Sequence, residues 1–205
     1  MKVSELFEES KPDYFRRLED ELNIKRLGSG AFARVFQHPT HPEVVVKIFT
    51  DEDLAYKKYL KFCLANQGNK YVPKILSVHK HDHDPKKPEK DLSIDEIVDN
   101  RYTLVFMEKL QPAKLEDLRA FIRAAPFESQ ELKDKQSKPY SFIVNLNSFD
   151  SPEWQDLAKQ TSDKELATIA KFFTKILRDE EHALDLHDRN VMMRGSQLVF
   201  TDPTS

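Results

Sequence analysis

The sequence predicts an α+β protein, on three observations. Short β-type runs gather from Asn23 to Leu27, Ala33 to His38 and Glu43 to Phe49, separated by a Gly-containing turn and by His38-Pro39-Thr40-His41-Pro42. Farther along, Leu166, Ile169, Ala170, Phe173, Ile176 and Leu177 recur at helical spacing behind Ser162-Asp163-Lys164-Glu165, which fits a capping box. Finally, 205 residues give room for one sizeable core or for two small lobes sharing a cleft, and not for three independent domains.

In chain order, Leu6, Phe7, Phe15, Leu18 and Leu22 stand among charges and predict helical pieces broken near Pro12, an N-terminal lead-in over 1–22. Three antiparallel strands follow up to Phe49. Asp51 to Gln67 reads as a helix with acidic residues in its first turn, at the positive end of the macrodipole. A strand pair is predicted at Val72 to His79 and Tyr102 to Met107, and a helix at Lys114 to Ala124. The stretch from Pro126 to Trp154 has weak periodicity and several breakers; it reads as a loop-rich insertion with a short strand at Phe142 to Leu146. The expected organisation is a first lobe over 23–110, with an insertion at about 80–100, and a second over 111–205.

Composition excludes several classes of function. With 39% hydrophobic and 33% charged residues the chain falls among soluble globular proteins. The runs Val44-Val45-Val46 and Tyr102 to Met107 are far too short to cross a bilayer, so no membrane role is expected. The opening Met1-Lys2-Val3-Ser4-Glu5 turns polar where a secretion signal needs an apolar run, and the expected place of action is the cytoplasm. A net charge of −3 with interspersed signs offers no footprint for nucleic acid. Cys63 is the only cysteine and can build neither an internal disulfide nor a cysteine zinc site. His79, His81 and His83 alternate with Asp82 and Asp84, and two readings stand: a metal site, or a solvated insertion with no rigid frame around it.

The chemistry is carried by four signals. Leu27-Gly28-Ser29-Gly30-Ala31-Phe32-Ala33-Arg34-Val35 spaces its glycines so that a hairpin turn brings backbone N–H groups close to phosphate oxygens; alone, it also fits an ordinary turn. Lys47 ends the apolar run Val44-Val45-Val46, and a buried lysine calls for a partner, of which a nucleotide phosphate is one. Asp185-Leu186-His187-Asp188-Arg189-Asn190 sets a carboxylate five residues before an amide, the spacing at which the first orients an acceptor hydroxyl and the second helps hold magnesium. Val199-Phe200-Thr201-Asp202-Pro203 then reads as a strand ending in a second carboxylate suited to metal and phosphates.

In this order and context the four signals resemble the protein-kinase-like superfamily over approximately Ile24 to Pro203. The match is closest to small phage-encoded serine/threonine protein kinases, with compact bacterial effector kinases as a competing home. The resemblance implies a bilobal fold with an antiparallel β-sheet N-lobe and a reduced, mainly helical C-lobe. It implies Gly28, Ser29 and Gly30 over the phosphates, Lys47 on the α- and β-phosphates, and Val35 and Val45 above the adenine. Phe106 is implied as gatekeeper, Glu108 and Leu110 in the adenine-binding segment, and Met192 beneath the adenine. Asp185 would be catalytic, and Asn190 and Asp202 would ligate Mg2+ or Mn2+ beside ATP. The implied activity is serine/threonine phosphorylation of a protein, of a host if this is a phage or effector protein, with the host cytosol as its location.

The sequence also departs from that pattern. Ala33 takes the place of a third glycine, and Ala183 precedes the catalytic loop where a histidine is usual. His187 stands where protein kinases have a lysine and where aminoglycoside and choline kinases often have histidine; it reads either as a donor to the γ-phosphate or as a structural imidazole. No glutamate lies at the usual distance from Lys47, since only Glu52 and Asp53 occur early in the helix, which leaves those acids or Asp202 to hold it. Three residues follow Asp202, so peptide docking would fall to 126–154, to the N-terminal helices or to a partner. A small-molecule kinase of the aminoglycoside or choline type and an inactive nucleotide-gated binding module are the rival readings.

Overall fold

A computed structural model of the chain describes residues 25–30, 33–50, 53–79, 102–124, 153–178, 183–186 and 190–204. The expected lead-in over 1–22, the histidine-rich stretch beyond His79 and the strand expected at Phe142 to Leu146 lie outside them. The α+β organisation is present, in two compact units: Met1–Asp53 with Ile75–Lys109, and Leu54–Lys74 with Leu110–Ser205.

The first unit is an antiparallel sheet built from β1 (Arg26–Ser29), β2 (Ala33–Gln37), β3 (Val44–Thr50), β4 (Ile75–His79) and β5 (Tyr102–Glu108), in the order β1-β2-β3-β5-β4. The three expected strands are thus joined by the later pair. Register places Val35 opposite Lys47 and Lys47 opposite Val105, with Gln37, Val45, Met107 and Ile75 in the adjoining row. Side chains directly opposite one another share a face, and neighbours along a strand do not. Lys47, Val105 and Met107 therefore project together, whereas Val46 and Phe106 project from the other side.

The His-Pro segment makes the β2–β3 connection by satisfying its own main chain. The Nδ1 of His38 accepts the N–H groups of Thr40 at 3.3 Å and His41 at 3.2 Å, while Gln37 Nε2 donates to the carbonyls of Pro42 and Val44, each at 3.0 Å. The proline at 42 removes a donor that this turn would otherwise have to pair.

The second unit contains α1 (Leu54–Ala65), the short strand β6 (Gln111–Pro112), α2 (Leu115–Ala124), α3 (Glu153–Gln160), α4 (Lys164–Arg178) and the hairpin β7 (Val191–Arg194) to β8 (Gln197–Phe200). Helix α1 starts at Leu54, so the acidic first turn expected from the sequence is not part of it: Asp53 precedes the helix. Although it sits in sequence between two strands of the sheet, α1 groups with the second unit. Its buried face is Ala55, Tyr56, Tyr59, Leu60 and Cys63, a stripe with two tyrosines and no carboxylate. Tyr59 and Phe62 approach the ring of Phe172 on α4 at 5.9 and 4.3 Å.

Helix α3 begins at the last two residues of the stretch read as loop and runs on to Gln160. Trp154 and Leu157 are buried three residues apart, a short apolar face too brief to show a period. Trp154 packs edge-on against Phe173 at 4.7 Å, and Phe173 against Phe200 at 5.1 Å. Phe121 of α2 meets Phe200 edge-on at 5.9 Å, so the last residue of β8 sits among rings from three helices. The β7–β8 turn needs Gly195, whose φ of 62° lies in the left-handed region that side chains avoid.

The cap of α4 is one residue later than the sequence suggested. Asp163, not Ser162, accepts the N–H groups of Glu165 at 3.0 Å and Leu166 at 3.1 Å through Oδ1. Its Oδ2 accepts the Tyr71 hydroxyl at 2.8 Å and faces Lys70 Nζ at 2.7 Å. Burial pulls the Asp163 carboxyl upward, but the Lys70, Leu166 and Tyr71 bonds outweigh it and the pKa is lowered. A carboxyl with a lowered folded pKa stabilises the protein above its unfolded value and loses that contribution as pH falls through the folded one. Asp163→Asn keeps the cap and removes the charge, so wild type should exceed the variant in unfolding free energy above about pH 4. The difference should shrink toward zero as urea titrations move to lower pH.

Candidate active site

In the first unit, the glycine turn joins β1 to β2. Gly28 faces Val35 across the ladder, Ser29 faces Arg34, and the Gly30 N–H closes the turn on the Ala33 carbonyl at 2.9 Å. The guanidinium of Arg34 lies across it, with Nη1 donating to the carbonyls of Gly30 and Ala33. Neither Gly28 nor Gly30 has a positive φ, and a Cβ at either position would meet nothing within 4 Å. The fold of the described residues does not itself require glycine there.

Lys47 is only 3% exposed, on the face it shares with Val35, Val45, Val105 and Met107. A cation is thus set among apolar neighbours at the centre of the sheet. Phe106, implied above as gatekeeper, is not on that face. Because β5 pairs with β3 without a bulge, Phe106 opposes Val46 and points to the other side, where His38 and His79 approach its ring at 5.8 and 5.2 Å. The residue one position on, Met107, is on the face of Lys47. Counting by twos from Lys47's partner Val105 finds Met107, but that partner is not visible until the register is known. Glu108 ends β5 opposite Val44; Leu110 follows two residues later and is half-buried.

In the second unit, Asp185, Asn190 and Asp202 are tied together by hydrogen bonds. Asn190 Nδ2 donates to the Asp185 carbonyl at 2.8 Å and to its carboxylate at 3.0 Å, which turns the amide oxygen away from Asp185. The Asn190 carbonyl accepts the N–H groups of Thr201 at 3.0 Å and Asp202 at 3.2 Å, and the Thr201 hydroxyl at 3.1 Å. The Asp185 N–H donates to the Pro203 carbonyl at 2.9 Å, and Leu184 bridges to Thr204. Strand β8 stops at Phe200, so Asp202 lies two residues beyond its end and is half-buried. Met192 is half-buried on β7, opposite Pro112 and Val199. His187 lies outside the described residues.

Two carboxylates and an amide oxygen are hard donors, the set that suits Mg2+ or Mn2+ and that leaves coordination positions to water and phosphate. Among the described residues no three His, Cys, Asp or Glu side chains converge on one point. Among the same residues no helix is long and apolar enough to cross a membrane.

Residues 9–84, less than half of the chain, match the protein family described as Bacteriophage T7 protein kinase 0.7. No curated protein matches the sequence. Among solved structures, the chain is similar to aminoglycoside phosphotransferase APH(4)-Ia, at 12% identity and a TM-score of 0.37, over 95% of this chain and 71% of that one. A thermostable mutant of the same protein, in ternary complex with AMP-PNP and hygromycin B, is similar at 14% identity and a TM-score of 0.36, over 92% of this chain and 68% of that one. The streptomycin-ATP-APH(2")-IIa complex gives 14%, a TM-score of 0.35, and coverage of 95% and 70%. Within its first 84 residues, then, the chain resembles the phage T7 protein kinase family.

Proposed function

We propose that the protein is a kinase-like phosphotransferase that transfers the γ-phosphoryl group of ATP to a hydroxyl, and that its acceptor is a serine or threonine of a protein. The observation that carries this reading is the local knot in which Asn190 donates to Asp185 while its carbonyl anchors Asp202. It brings a carboxylate for the acceptor hydroxyl and an amide and carboxylate for a cation into one hydrogen-bonded segment, from residues up to 17 apart in sequence. The protein acceptor is supported by the description of the family that residues 9–84 match.

Little covalent chemistry is asked of the protein in such a transfer; it positions the reactants and offsets charge. Asp185 accepts a hydrogen bond from the attacking hydroxyl and aligns it. Lys47, buried among apolar side chains, offers its ammonium to phosphate oxygens. Gly28, Ser29 and Gly30 form the turn over the phosphates, with the Gly30 N–H engaged by the Ala33 carbonyl, and Val35, Val45 and Met107 supply apolar surface for a base. Asn190 and Asp202 would hold Mg2+, which supplies charge neutralisation on the phosphates when bound. His187 is assigned to a phosphate contact from its place in the motif.

The assay is transfer of γ-labelled phosphate from ATP, with Mg2+ or Mn2+, to a bacterial lysate and separately to aminoglycosides and choline. Asp185→Ala and Asp202→Ala should each lower the rate by about a hundredfold or more. Full activity in either would remove the assigned roles; label on small molecules alone would replace the protein acceptor; nucleotide binding without transfer would favour a binding module.

Gly30→Ala should leave the melting temperature within experimental error, because a Cβ there meets nothing within 4 Å. It should weaken ATP binding, measured by calorimetry, by about tenfold if backbone must approach phosphate closely. Phe106→Leu should leave ATP affinity unchanged, whereas Met107→Ala should lower it, since only Met107 shares the face of Lys47.

A further inference from the structure

We infer that Tyr59, on a helix that contributes none of the expected catalytic side chains, is a positioning residue for Asp202. The inference rests on the reading of Asp202 as a cation ligand, and its geometry is independent of that reading. The backbone leading to Asp202 is held at successive groups. The Phe200 N–H donates to the Tyr71 carbonyl at 2.9 Å, the Phe200 carbonyl accepts the Tyr59 hydroxyl at 2.5 Å, and the next two N–H groups converge on the Asn190 carbonyl.

Most of these bonds join main chain to main chain and persist through ordinary substitutions. The side chains in the set are Tyr59 and Thr201. Tyr59 is the distant one, 141 residues from Phe200 in sequence and 0% exposed. Burial first, with smaller contributions from neighbours including Cys63 and Asp202, pushes its phenol well above the ordinary value. The group is therefore an O–H donor at every working pH.

The peptide plane between Phe200 and Thr201 stands just before Asp202 and is held at both polar groups, its carbonyl by Tyr59 and its N–H by the Asn190 carbonyl. Phe200 is the last residue of β8, and both its N–H and its carbonyl bond outside the β7–β8 ladder. With the Tyr59 hydroxyl removed, a buried carbonyl loses its donor, and rotation of that plane toward another donor swings the chain that carries Asp202. A ligand displaced by a fraction of an ångström still folds but holds a small octahedral cation less well.

The test uses the full chain and Mn2+ as the probe, with free Mn2+ followed by electron paramagnetic resonance in the presence of AMP-PNP. Tyr59→Phe should weaken Mn2+ binding about three- to tenfold, the worth of one hydrogen bond, with AMP-PNP affinity measured without metal unchanged. Leu157→Ala serves as a destabilised control, since it removes buried apolar surface from α3 in the same unit and takes away no hydrogen bond to Tyr59, Tyr71 or the Phe200 backbone. Wild-type Mn2+ affinity in Tyr59→Phe, or an equal loss in Leu157→Ala, would overturn the inference. Binding in wild type that survives Asp202→Ala would instead overturn the assignment of Asp202, and the inference with it.

Discussion

The second unit depends on how Phe200 is held. Its ring fills the space among Phe121, Trp154 and Phe173, and its backbone is clasped by Tyr71 on the N–H side and Tyr59 on the carbonyl side. Ring burial fixes where the strand ends, and the two main-chain bonds fix how it is turned there. Asp202 follows two residues later, so the course of the chain into this carboxylate is set by an aromatic side chain and a pair of tyrosines remote from it in sequence. Close packing tolerates no intermediate setting of such a residue.

The first unit depends on parity. A strand alternates its side chains between two faces, and the regular ladders β2–β3 and β3–β5 carry that alternation from strand to strand. Lys47 is committed to a buried face by Val45 and Phe49 on either side of it, and every residue that shares its environment is then determined by pairing: Val35, Val105 and, one step along, Met107. The same rule sends Phe106 to the side of His38 and His79.

Much of this is legible in the amino-acid sequence. The β-type runs and the helix from Lys164 are local patterns, and the elements they predict are present; the spacing of Asp185, Asn190 and Asp202 is local too, and hydrogen bonds join these residues. What the sequence does not carry are quantities that depend on partners. The face of Phe106 requires the β3–β5 register. The cap of α4 requires knowing that Asp163 also meets Lys70 and Tyr71, the tyrosine standing 92 residues away. Helix α3 shows only two buried apolar residues, Trp154 and Leu157, and a signal that short is lost among the breakers around it. The role of α1 is obscured for a related reason: its position between strands suggests one set of neighbours, and its tyrosines and Phe62 choose another.

The allegiance of α1 has a genetic consequence. The chain leaves the first unit after Asp53, returns at Ile75 and leaves again after Lys109, so neither unit is a continuous stretch of coding sequence. A deletion, a fusion or a recombination event that cuts at any single point carries off a fragment of one unit with the whole or part of the other. No single crossover exchanges one unit whole without breaking the other or carrying part of it along.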